Sequence, residues 1–105
     1  MQDLKSPAYL TIARIGGEPD QLLDGYLRSS ETMDQVGHDH DLILHAAAPT
    51  DAGLLIVNLW PSKEGSEAAA HDQRRLDTIR QQALEPEQIR KEHYDVARLV
   101  LFGSE

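Results

Sequence analysis

The chain has 105 residues, one domain by the usual size of roughly 100–150, with room for only a modest core of its own. Ten basic residues stand against eighteen acidic ones, a formal net charge of -8 with no clustered basic stripe, which argues against a nucleic-acid or anionic-membrane surface. There is no cysteine, so disulfides, thiolate nucleophiles and thiolate metal sites are excluded.

The opening segment, "MQDLKSPAYL", has no basic stretch followed by an apolar run, and the longest apolar run falls short of the ~20 residues that span a bilayer. The expectation is a soluble, cytoplasmic protein without a signal peptide. Residues 8–15, "AYLTIARI", are rich in β-formers and end at Gly16-Gly17, so they read as a strand. Pro19 suits a first helical position, and Asp20 suits the positive end of a helix dipole. Leu22, Leu23, Tyr26, Leu27, Ser30, Met33 and Val36 then follow the spacing of one helical face, which predicts a helix over 19–35. "GHDHD" (37–41) reads as a polar break.

Two strands follow, "DLILHAAA" (41–48) and "LLIVNLW" (54–60), joined by the turn composition "PTDAG" and so expected to pair antiparallel. Ser62 is a candidate N-cap, with Glu64 in the first turn of a helix over 63–83 that breaks or kinks near His71-Asp72. Pro86 ends that helix. "HYDVARLVLF" (93–102) is the final strand, or one that begins nearer Ile89.

The order strand, helix, strand, strand, helix, strand predicts an α+β, ferredoxin-like fold: an antiparallel sheet with both helices on one face. A sheet wet on one side should alternate apolar with polar residues. Here Leu54, Ile56, Asn58 and Trp60 oppose Leu55, Val57 and Leu59, and the neighbouring strands also read as apolar on both sides. The second face therefore needs a cover. The simplest is the sheet of an identical chain, so the expected partner is the protein itself, as a homodimer closing a shared α/β barrel.

This strand order, and above all "HAAAPTDAGLLIVNLWPSKEGSEA" (45–68), resembles the antibiotic biosynthesis monooxygenase-like domains of the dimeric α/β-barrel superfamily. The likeness lies in a hairpin whose short Asp- and Gly-containing loop leads to a strand ending in Trp, then Ser, acidic residues and a helix. The specific part covers about a quarter of the chain. The resemblance implies a cofactor-independent monooxygenase acting on a small aromatic substrate, quinol or polyketide-like. The alternatives are a non-catalytic domain that binds a small molecule or only dimerises, and, third, a haem-degrading enzyme. It also implies that Asn58 and Trp60 take the substrate-binding places, and that His71 stands near the axial position of the haem-degrading members.

The residues themselves allow each of these and a plainer reading besides. Cofactor-free oxygenation needs a dry pocket and donors for a developing anion. Asn58 can donate to an oxyanion and Trp60 offers an N–H and a stacking surface, or they are a backbone-satisfying Asn and a packing Trp at a strand end. His45 and His71 are candidates to handle a proton, or a sheet-surface His and a solvated helix residue. Arg75, with Arg74 and Arg80, suits an anionic substrate, or solvates a helix. His38 and His40 invite a metal but sit in a polar turn, and no metal site is called. Tyr9, Tyr26 and Tyr94 read as core or rim residues. Neither a dinucleotide glycine fingerprint nor a G-x-S-x-G elbow is present, and no cofactor is called for.

Overall fold

The structure, a computed structural model, describes residues 2–4 and 8–102; the segment read for a leader lies partly outside them. The elements are β1 (Gln2–Leu4), β2 (Ala8–Gly16), α1 (Pro19–Asp39), β3 (Leu44–Thr50), β4 (Gly53–Trp60), α2 (Lys63–Ala70), α3 (Gln73–Gln81), a 3-10 turn (Pro86–Gln88), β5 (Ile89–Val96) and β6 (Leu99–Leu101). Strands β2 to β5 form one antiparallel sheet in the order β3-β4-β2-β5, the expected ferredoxin-like arrangement, while β1 and β6 pair separately. No helix among the described residues is long and apolar enough to cross a membrane.

Local chemistry explains most boundaries. Glu18 caps α1 by accepting from the Gln21 N–H at 2.9 Å, and Pro19 stands at its start. Ser62 caps α2 through Gly65 N–H at 3.0 Å. The second helical region divides at His71-Asp72 as expected, because Asp72 turns its carboxylate to the Arg74 N–H and starts α3. At the β3–β4 hairpin, Gly53 has a φ of 155°, and a Cβ there would lie 1.9 Å from the Ile15 carbonyl oxygen. Only glycine lets the hairpin tip close against the end of β2.

Four expectations need correction. The break comes later than 37–41, at 40–43: α1 runs on to Asp39, because Gly37 allows Leu42 to fold back against the helix, its side chain 2.8 Å from where a Cβ would stand. The second strand begins at Leu44, not 41, and keeps Pro49 and Thr50. Proline is tolerated there because β3 is an edge strand, where a missing N–H is not needed on the outer side. The final strand is two: the chain leaves the main sheet after Val96 and pairs with β1 from Leu99. Consequently β5 is polar on both sides (Arg90, Lys91, Glu92, His93), and the doubly apolar pattern belongs to β4 and its neighbours.

Val36 of α1 and Ala69 of α2 both pack on Trp60, with Tyr9 and Leu42 around them, so the helices share one face of the sheet. This core is small. The opposite face presents Leu10, Ile12, Leu55 and Val57, with Leu44 46% and Tyr94 49% exposed.

Candidate functional site

Strand register assembles the site. His45 pairs with Asn58, Asn58 with Thr11, and Thr11 with His93, which draws one polar row across all four strands. These side chains share the helix-facing side, since strand neighbours alternate. They floor a cavity of about 110 Å3, partly open to solvent. Met33, Val36 and Gly37 of α1, Ser66, Ala69 and Ala70 of α2, and Arg75 of α3 close it over the sheet, with Trp60 and Lys91 on the walls.

The hydrogen bonds within it have a direction. Asn58 Oδ1 lies 2.6 Å from His45 Nδ1 and can only accept, so Nδ1 carries the proton. The other nitrogen, Nε2, then accepts from the Tyr26 hydroxyl, 2.5 Å away. The Tyr26 and His45 rings also lie stacked, centroids 5.8 Å apart at 20°. Burial first, then the Asp34 carboxylate, push the Tyr26 phenol above its usual range, so it remains a donor at neutral pH. Each group in the chain Tyr26, His45, Asn58 thus donates toward the cavity, and the Asn58 amide hydrogens stand at its end.

Of the residues singled out from sequence, Asn58, Trp60, His45 and Arg75 meet at this cavity. Trp60 is buried and its indole N–H is engaged by the Thr11 hydroxyl at 3.2 Å, so it offers a wall and no free donor. Both nitrogens of His45 are occupied, which makes it an orienting group for Asn58. Arg75 donates to the Ala70 carbonyl at 3.2 Å, and burial lowers its hold on its proton. His71 is not brought in: it caps α2, exposed, with Nδ1 2.9 Å from the Glu67 carbonyl. Haem is several times larger than this cavity.

The remaining candidates are elsewhere. Arg74 bridges Asp72 and Asp39 at 2.8 and 2.9 Å, and Arg80 pairs with Asp77 at 3.3 Å. His40 bonds Asp72 at 3.0 Å, whereas His38 stands exposed beside Asp39. Among the described residues no group of three or more His, Cys, Asp or Glu is placed to hold a metal ion. Sequence reading took Tyr26 for a core or rim residue and passed over Thr11, Lys91 and His93. The signal for Tyr26 was its place on the apolar stripe of α1, two turns before Met33 and nearly three before Val36. The others depended on the pairing of β2 with β5, which are nearly the whole chain apart.

No family model matches the chain, and no curated protein matches it. Solved structures do. A Chloroflexus aurantiacus protein provisionally named an antibiotic biosynthesis monooxygenase superposes with a TM-score of 0.63 at 19% identity, over 91% of this chain and 97% of its own. A dimeric ferredoxin-like protein from an uncultured marine organism gives 0.60 at 11% identity, over 92% and 94%. SnoaB, a cofactor-independent oxygenase from Streptomyces nogalater, gives 0.57 at 10% identity, over 92% and 96%. The chain therefore shares the ferredoxin-like fold of these structures.

Proposed function

We propose that the protein is a cofactor-independent monooxygenase of a single-ring, quinol-type aromatic, working as a homodimer. The observation that carries this reading is the donor chain from Tyr26 through His45 to Asn58, ending in a cavity. Hydrogen bonds in series polarise one another, so the Asn58 amide is a stronger donor than a lone Asn and is held at a fixed angle. Such a preorganised donor suits an oxyanion. The cavity volume limits the substrate: at about 110 Å3 it is smaller than the apolar cavity of about 150 Å3 that holds benzene, so it takes no more than one ring, with substituents out at the open mouth, and a fused polyketide is too large.

The step balances without a cofactor. The quinol loses a hydroxyl proton to water at the mouth as its oxyanion forms against the Asn58 amide. The anion gives one electron to dioxygen, and the radical pair joins at a ring carbon, forming a C–O bond. The peroxide takes up a proton, the ring C–H proton leaves, and the O–O bond breaks. Quinol and dioxygen become hydroxyquinone and water. Trp60 and Ala69 supply the dry wall that keeps the radical pair together. The likeness to a cofactor-independent oxygenase supports this choice of chemistry. The dimer is supported by the uncovered apolar sheet face and by the dimeric neighbour.

The test is oxygen uptake on a panel of single-ring quinols with no metal, flavin or haem added. The expected result is uptake matched by hydroxyquinone, reduced ~10²–10³-fold in Asn58→Ala, as for loss of one oxyanion donor. Uptake that is absent across the panel, or unchanged in the variant, contradicts the assignment.

A further inference from the structure

A second group of charges in the cavity belongs to none of these steps. Lys91 lies on β5, two residues from His93 and so on the same helix-facing side, and it lines the cavity with Arg75 of α3. Neither side chain has a carboxylate partner among the described residues; Arg75 meets only the Ala70 carbonyl. Two cations of a chain with net charge -8 therefore converge on one small cavity without an ion pair to either among the described residues.

We infer that Arg75 and Lys91 form an anion-binding subsite for a carboxylate carried by the aromatic ligand, so that the substrate is a hydroxylated benzoate and not a neutral quinol. This rests on the pocket described above and sharpens its substrate class. The spacing fits. Asn58 and Lys91 are two strands apart and one pleat repeat offset, about 12 Å between Cα atoms at ordinary sheet spacings. A single ring with a hydroxyl at one end and a carboxylate at the other fills that span once the Asn and Lys side chains have reached inward. Arg75 supplies the planar fork that matches a carboxylate, and Lys91 a point charge beside it.

The other titratable groups of the cavity are Asp34, His45 and His93. Asp34 acts on Tyr26 and is within ion-pair distance of neither cation. Burial first, and the Arg75 charge second, lower the hold of Lys91 on its proton. Both cations are thus costly to keep charged in the empty site, and a bound carboxylate relieves that cost.

The experiment is calorimetric titration of the intact protein with 4-hydroxybenzoate and with 4-hydroxybenzamide, which has nearly the same shape and no charge. The acid is expected to bind ~10-fold or more tightly than the amide, a difference of ~1.4 kcal/mol. Lys91→Met and Arg75→Met should each erase most of that preference, and Lys91→Arg should keep it. The preference should also fade with rising pH before an ordinary lysine loses its proton at about 10.4. Equal binding of acid and amide, no binding of either at millimolar concentration, or a preference that survives both methionine variants overturns the subsite. The two assignments fail separately. A carboxylate preference without oxygen uptake leaves the subsite and removes the oxygenase; uptake of neutral quinols with no preference does the reverse.

Discussion

Asn58 and Tyr26 divide one task. Asn58 presents its amide to the cavity, and Tyr26 fixes the His45 tautomer that holds Asn58 in place. Tyr26→Phe keeps the stacked ring and deletes only the donor. It should cost about 1 kcal/mol in folding stability, measured by urea titration, because one net hydrogen bond is lost. Oxygen uptake should fall ~10-fold, since His45 is then free to turn its proton to the other nitrogen. With its phenol raised above the usual value of about 10, Tyr26 should impose no alkaline fall in rate below that pH. Trp60→Ala is of another kind: it empties the centre of the small core and should destabilise by about 3–5 kcal/mol. At this scale the sequence was legible where chemistry is local. Asn58 and Trp60 stand two apart on one strand, so simple alternation placed them together; His45 joins them through the hairpin register. Tyr26 and Lys91 were opaque, because their arrival depends on helix rotation and on a pairing between distant strands.

Helix ends set the second scale. Ser62→Ala should lower stability by about 1 kcal/mol, the usual worth of an N-cap, seen as a drop in thermal midpoint. Ala83 follows α3 with a φ of 55°, a conformation that costs an L-residue with a Cβ roughly 1 kcal/mol or more, so Ala83→Gly should stabilise by about 1 kcal/mol. Asp72 joins two elements: it caps α3, pairs with Arg74 within it, and bonds His40 at the end of α1. Arg74 first, and His40 second, hold its carboxyl well below the usual range. A depressed carboxyl contributes stability above its unfolded value, about 3.9, and loses it as pH falls toward the folded value. Asp72→Asn should therefore be less stable than wild type at pH 7 and lose less between pH 4 and pH 2. Equal slopes in that window would show the network to be ornamental. These ends also show where pattern reading stops. Helical spacing carried α1 to Gln35, but its last turn depended on Leu42 packing over Gly37, a contact with no periodic trace. Pro49 looked like a loop residue because nothing local reveals that β3 is an edge.

Across the whole molecule, one sheet separates two unlike surfaces. The helix side holds the small core and the cavity; the other side leaves Leu44 and Tyr94 half exposed among apolar neighbours. Sedimentation at micromolar concentration should show a dimer, and Leu44→Asp with Tyr94→Asp should yield single subunits, since two buried charges have no partners in such an interface. A wild-type chain that sediments alone would remove the barrel. Strand and helix order was readable because it depends on period and turn chemistry, which are local. The site was readable only in part, because it depends on register. The most direct measurement is a double-mutant cycle on oxygen uptake using Tyr26→Phe and Asn58→Ala. If Tyr26, His45 and Asn58 act as one donor chain, the double variant is no slower than Asn58→Ala alone. Losses that multiply, or an Asn58→Ala variant as fast as wild type, would contradict it.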